Sequence, residues 1–180
     1  TVLKVKRQAS VHLSTNGRKL VVTGITQGKA QPRTVHNATT GKELASRTFG
    51  HYPTTIGMKG AKVYYSVWEK GTFVWNSRTD KVSRVTRRPA GQIDLINDRL
   101  STYTGDPYEG GCTKLTSISD PRTTLWKSCI ERIESFSPDG SRMATVSILS
   151  DGLGPNQMAV RTTSGTLLGT YLTTSWFATI

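Results

Sequence analysis

Short runs of alternating apolar and polar residues recur along the whole chain, and each run is closed by Gly, Asn, Asp or Pro. A period of two places one face of a strand on a core and the other on water. No window carries apolar residues at helical spacing behind a capping residue. The pattern therefore predicts an all-β domain. Side-chain chemistry agrees, since 27 Thr and 17 Ser make up about a quarter of the 180 residues. Thr favours strands, and Ser favours turns and edges.

The runs repeat. Residues 10–24 (SVHLSTNGRKLVVTG), 53–67 (PTTIGMKGAKVYYSV), 91–105 (GQIDLINDRLSTYTG) and 133–147 (IESFSPDGSRMATVS) share one design of strand, tight polar turn and strand. Their turn residues are Gly17, Gly60, Asp98 and Gly140, spaced by 43, 38 and 42. A second hairpin follows each, with turn markers Gly41, Asp80, Asp120 and Gly165, spaced by 39, 40 and 45. Four strands in two hairpins per roughly 40 residues is the size of a propeller blade. A lone blade cannot bury both faces, so neighbours must stack.

At Phe136-Ser-Pro-Asp-Gly140, followed by Ser-Arg-Met-Ala-Thr-Val, the chain resembles the WD-like repeat of TolB-type β-propellers. In that family such a turn links the two inner strands of a blade. Asn16-Gly17 matches in part, Lys59-Gly60 and Asn97-Asp98 depart from it, and no Trp-Asp dipeptide is present. The expected fold is an all-β propeller of four-stranded antiparallel blades, with about four blades in this chain, over residues 9–49, 50–88, 89–130 and 131–174. Residues 1–6 read as an outermost strand of a preceding blade, and residues 175–180 as an innermost strand of a following one. That pattern suits part of a larger ring, or ends that pair with each other or with a second copy. Phe136, Met143 and Val146 are the expected core of the fourth blade, and Leu13, Leu20 and Val22 that of the first.

Composition narrows the setting. With 24 basic and 12 acidic residues the formal net charge is +12, and 35 % of residues are hydrophobic with aromatics throughout, which excludes a highly charged disordered chain. No apolar run is long enough for a transmembrane helix. No leader sequence is visible, and the chain does not begin with Met, as after removal of one. Cys112 and Cys129 lie equidistant from the Asp120-Pro121 pair. A hairpin with a two-residue turn there sets them opposite each other, within reach of a disulfide. Two buried free thiols are the alternative. A disulfide implies an exported protein, extracellular or of the periplasm or cell envelope. Metal-ligand patterns such as CxxC and HxxxH are missing, and neither a metal nor a cofactor is expected. Asn37-Ala-Thr39 is a single glycosylation sequon.

Candidate chemistry is sparse. His12, His36 and His51 lack metal spacing and read as strand or turn residues. There is no G-x-S-x-G elbow, P-loop or G-x-G-x-x-G. Asp106 and Glu109, in Asp106-Pro-Tyr-Glu109-Gly-Gly111, are a possible ligand or Ca²⁺ loop, or an Asp-Pro turn. Asp151, in the Gly-rich stretch 150–156, occupies the same slot of the fourth blade. Asp94 is the one inner-strand carboxylate that a catalytic channel could use. Arg78, Lys81, Arg84, Arg87 and Arg88 form a possible patch for an anionic partner, or a charged edge that blocks sheet-to-sheet pairing. Because basic residues occur along the whole chain, no focused groove is expected. Tyr64, Tyr65, Trp68, Phe73 and Trp75 are expected to pack between blades.

The reading that follows is a non-catalytic module presenting propeller loops to a protein or polymer partner, as the resemblance implies. The alternatives are the propeller part of an enzyme (a peptidase gate, a glycosidase or a lyase) and binding of an anionic polymer or nucleic acid. A homo-oligomer is a further possible assembly.

Overall fold

A computed structural model of the chain describes residues 9–24, 31–50, 52–151 and 154–175. The expected end strand at 1–6, all but Ser175 of the one expected at 175–180, and His51 lie outside the described residues. Among the described residues there are sixteen strands and one short 3₁₀ turn, Pro107–Glu109. The strands form four antiparallel sheets of four, each in simple chain order. The first holds β1 (Ala9–Leu13), β2 (Lys19–Gly24), β3 (Gln31–Asn37) and β4 (Glu43–Phe49). The second holds β5 (Thr54–Lys59), β6 (Lys62–Val67), β7 (Gly71–Asn76) and β8 (Lys81–Thr86). The third holds β9 (Ala90–Asp94), β10 (Arg99–Tyr103), β11 (Thr113–Ser117) and β12 (Thr124–Ser128). The fourth holds β13 (Glu131–Phe136), β14 (Arg142–Ser147), β15 (Gln157–Thr162) and β16 (Leu167–Leu172). The chain divides into two compact units, Thr1–Pro89 with the first two sheets and Ala90–Ile180 with the last two.

The repeated turn markers have a common conformation. Gly17, Gly60, Asp98 and Gly140 all adopt positive φ, between 58° and 70°. Three markers are glycine because that backbone region crowds a Cβ, and Asp is one of the few other residues that visit it. Gly140 has a second reason to be glycine, since a Cβ there would lie 2.4 Å from Cγ of Asn97. Each sheet also ties its two hairpin turns together through the backbone. Ala38 donates to Arg18 O, Ser77 to Ala61 O and Thr163 to Ser141 O, at 3.0, 2.8 and 3.1 Å. The third sheet departs by one residue, with Ile118 donating to Asp98 O at 3.4 Å. Its second marker, Asp120, stands in a six-residue loop between Ser117 and Thr124 and not in a tight turn. Pro121 lacks an N–H, and Asp120 instead binds Thr123 Oγ1 at 2.6 Å, which opens the turn.

Burial grades across each sheet. The middle strands β2 and β3, β6 and β7, β10 and β11, and β14 hold most buried positions, while β4, β8, β12 and β16 are largely exposed. In the first unit Val21, Val35, Met58, Val63, Tyr65, Val67 and Trp75 form one buried cluster, with Phe49 and Phe73 against it. In the second unit Leu115, Ile133 and Met143 do the same, with Trp126 and Phe136 packed on them. Met143 and Val146 are thus core residues and Phe136 lines the core. In the first sheet the expectation fails at Leu13, which is 59 % exposed, and Leu20 is half-buried. Val11 shares the exposed face of β1 with Leu13, so that strand turns its apolar face outward. Val21 and Val22 are both buried. A strand covered on both faces reads as a continuous apolar run, and alternation cannot pick out its core residues.

Candidate functional site

The first unit is joined across its two sheets by arginines and aromatic rings. Arg33, on β3, is fully buried. Its Nε donates to Thr55 Oγ1 at 2.7 Å and its Nη2 donates to the carbonyl of Pro53. Thr55 Oγ1 also bonds Thr23 Oγ1 at 2.9 Å. The guanidinium lies 4.9 Å from the centre of the Phe49 ring and 5.3 Å from that of Tyr65, and Phe73 stacks on Tyr65 at 5.5 Å. Nη1 has no hydrogen-bond partner, and among the described residues no carboxylate pairs with this cation. Burial draws the Arg33 pKa down to about 10, with Tyr65 acting against it, so Arg33 remains charged at neutral pH. Burial, and then Arg33, lowers the pKa of His12. Further out, Arg47 on β4 bonds Asp80 in the β7–β8 turn at 2.7 Å, and Trp75 Nε1 bonds the same carboxylate at 2.8 Å. Those two hydrogen bonds hold Asp80 below its usual pKa.

The charge of the chain resides in this unit. Residues 1–89 contain 17 lysines and arginines against three acidic residues, a net of +14, whereas residues 90–180 contain seven against nine, a net of −2. Basic residues do occur in both units, as expected, but the net positive charge lies in the first. The asymmetry is present in the sequence, but it becomes visible only once the unit boundary is known. An open groove of about 500 Å³ in the second sheet is lined by Lys59, Ala61, Lys62, Tyr64, Asn76 and Arg78.

The structure divides the expected basic patch. Arg78 and Lys81 lie at the hairpin-turn end of the second sheet, and Arg78 joins the groove with Lys59 and Lys62, which sequence reading left out. Arg84 is exposed midway along the edge strand β8, opposite Phe73. Arg87 and Arg88 follow the far end of β8, about 20 Å of strand away from Lys81. Of the five aromatics, Tyr65, Phe73 and Trp75 pack as expected around Phe49 and Tyr64 is buried, but Trp68 is 47 % exposed.

In the second unit, Asp106 caps the 3₁₀ turn, its carboxylate accepting from Tyr108 N at 2.9 Å. Glu109 lies in that turn and Gly110 ends it with positive φ. The geometry is that of an Asp-Pro turn. Asp151 is exposed. Asp94 accepts from Ile96 N and Asn97 Nδ2 at 3.0 and 2.7 Å. Near the 150–156 loop, a cavity of about 200 Å³ is lined by Glu131, Thr145, Ser150 and Asn156 among others. The Glu131 carboxylate there is held by Arg161 at 2.7 and 2.8 Å and by Thr145 Oγ1 at 3.1 Å. Among the described residues no three of His, Cys, Asp and Glu gather as metal ligands would. His36 is buried, bonding Gly41 O and Thr34 Oγ1. Cys112 and Cys129 are joined in a disulfide, with Cα atoms 4.0 Å apart. They extend the β11–β12 register that runs from Thr113 opposite Ser128 to Leu115 opposite Trp126.

The turn carboxylates titrate low. Asp139 receives Ser137 Oγ at 2.6 Å, Ser141 N at 3.1 Å and Ser141 Oγ at 2.8 Å, which together hold its pKa at about 2. Asp120 is lowered by Thr123 and Arg122. At Asp98 burial pushes upward, but hydrogen bonds from Ser117, Ser119 and the backbone outweigh it. A carboxylate whose pKa is depressed by folding stabilises the fold above its unfolded pKa and loses that contribution as pH falls through the folded one. The second unit should accordingly lose stability between about pH 4 and 2. Carbon-detected NMR titration should find Asp139 near the bottom of that range, and Ser137→Ala should raise its midpoint.

No family model matches the chain, and no curated protein matches it. Solved structures do. TolB from Acinetobacter baumannii aligns with a TM-score of 0.66 at 10 % identity, over 94 % of this chain and 44 % of that one. The WD40 domain of Toxoplasma gondii coronin aligns at 0.62 and 11 %, over 95 % and 47 %. The β-propeller domain of Myceliophteria thermophila Cps50 (Swd1) aligns at 0.57 and 11 %, over 91 % and 59 %. The chain spans about half the length of these structures, and the fold of its four sheets is that of propeller blades.

Proposed function

We propose that this chain, built of four propeller blades, is a non-catalytic binding module that presents its turns and edge strands to a protein or polymer partner. The use made of its carboxylates carries this reading. Asp94, Asp98, Asp120 and Asp139 accept hydrogen bonds inside hairpin turns. Asp80 is held by Arg47 and Trp75, and Glu131 by Arg161. A general acid needs its proton retained towards neutral pH, and at Asp80, Asp98, Asp120 and Asp139 hydrogen bonds to the charged carboxylate act in the opposite direction. These acids serve the scaffold, leaving the exposed turns and edges for recognition. The disulfide supports an exported protein, since such bonds persist in oxidising compartments.

The test is a defined panel of immobilised probes: acidic and neutral polysaccharides, duplex and single-stranded DNA, and acidic and neutral peptides. The expected result is saturable, reversible binding to at least one class, with every recovered probe unchanged in mass. Cleavage or modification of a bound probe would replace this reading with an enzymatic one.

A further inference from the structure

We infer that the hairpin-turn end of the first unit is a docking surface for a linear acidic polysaccharide, bearing sulfate or carboxylate groups, laid along the Lys59–Lys62–Arg78 groove. This inference rests on the binding-module reading and names the partner class for one surface of it.

Six hairpin turns contain an Asn or Asp whose side-chain oxygen accepts the backbone N–H two residues on. In the first unit the acceptors are Asn16 for Arg18 N, Asn37 for Thr39 N and Asn76 for Arg78 N, at 3.2, 2.9 and 3.0 Å. In the second unit they are Asp94 for Ile96 N, Asp120 for Arg122 N and Asp139 for Ser141 N, at 3.0, 3.3 and 3.1 Å. The backbone asks only for an oxygen at that place, and either residue supplies it. The first unit meets the requirement without negative charge each time, and the second does so with one each time.

Cations outnumber acids at the first unit's turns. Arg18, Lys42, Lys59, Lys62, Arg78 and Lys81 are all exposed at or beside these turns. The two acids there are Glu43 and Asp80, and Asp80 is already committed to Arg47 and Trp75. Backbone bonds draw the turns together. Thr15 N donates to Met58 O at 3.0 Å, which sets the β1–β2 turn against the end of β5 that carries Lys59. Ala38 N to Arg18 O and Ser77 N to Ala61 O join the turns within each sheet. The result is one positively charged strip crossing a groove large enough for a short polymer segment.

The class of anion follows from what else lines the strip. Nucleic-acid platforms add exposed aromatic faces on which bases stack. The groove's tyrosine, Tyr64, is only 9 % exposed, and the exposed aromatics Tyr52 and Trp68 lie at the opposite ends of β5 and β6. Lysines act as mobile point charges, suited to scattered sulfates or carboxylates along a flexible polymer. The disulfide points to the exported setting in which such polymers occur.

The experiment measures binding of the full chain to heparin, used as a sulfated-polysaccharide probe, by calorimetry across a salt series from about 50 mM upward. Binding is expected, with log affinity falling linearly in log salt. The triple variant Asn16→Asp, Asn37→Asp, Asn76→Asp keeps every turn acceptor while adding three negative charges. It should bind roughly tenfold or more weakly with an unchanged urea midpoint. Lys59→Gln with Lys62→Gln and Arg78→Gln should do the same. Arg84→Gln with Arg87→Gln and Arg88→Gln removes as much charge elsewhere in the unit and should change affinity less than about threefold. An equal loss in that third variant would overturn the localisation. Tighter binding of duplex DNA or of an acidic peptide than of heparin would overturn the polymer class. If heparin fails to bind while another probe of the panel does, the docking proposal falls and the binding-module reading stands.

Discussion

Arg33→Ala is expected to destabilise the first unit by about 3 kcal/mol, whereas Arg33→Met should lie within about 1 kcal/mol of the natural protein or above it. Alanine removes a fully buried side chain packed against Phe49 and Tyr65 and deprives Thr55 Oγ1 and Pro53 O of the Arg33 donors. Methionine refills most of the volume and relieves the cation of burial without a carboxylate. The Nη1 atom has no hydrogen-bond partner, so part of what the guanidinium loses on leaving water is not returned. Urea unfolding of the two variants, followed by tryptophan fluorescence, measures both differences. If methionine costs as much as alanine, the ring contacts and hydrogen bonds of the guanidinium outweigh its desolvation. The depressed pKa of Arg33 has the corresponding sign. Unlike a residue that gains an ionic partner, this cation is disfavoured by folding, and the penalty begins to fade only as pH rises through about 10 towards the unfolded pKa.

Removing the Cys112–Cys129 disulfide should lower stability by about 3 kcal/mol, the chain-entropy value for a closed loop of this length. The bond closes a segment with a sequence separation of 17 between neighbouring strands. Cys112→Ser with Cys129→Ser and reduction of the natural protein should shift the urea midpoint equally, because both release the same loop. A shift below about 1 kcal/mol would mean that the β11–β12 register already restrains the unfolded segment. A large shift would bind the stability of the second unit to an oxidising environment, and with it the exported location proposed for the chain.

The repeat was legible because turn chemistry is local. Gly17, Gly60, Asp98 and Gly140 could be recognised from residue type alone, and all four take the positive φ that this residue choice anticipates. The cysteine pair was legible for a related reason, although the turn between them is six residues long and not two. The loop is symmetric about the same residue pair, and the bulge between Leu115 and Thr116 leaves the Cys-proximal register unchanged. Leu13 was misread because alternation shows that two faces differ, not which of them is covered.

The candidate site was less legible. Arg78 was visible within a run of cations, but Lys59 and Lys62 join it only when β5, β6 and β7 are laid side by side. Arg33 carries no sequence signal at all, since a lone arginine in a strand ordinarily faces water. Its burial comes from Phe49, Tyr65 and Thr55, which are distant in the chain.

The sequence by itself determined the all-β class, the four strand-rich repeats, the turns and the net charge, because each depends on residue type and near-neighbour spacing. Tertiary structure decided which faces are buried, which acids are engaged and which cations share a groove. Those properties depend on distances between residues far apart in the chain, and local pattern does not encode such distances.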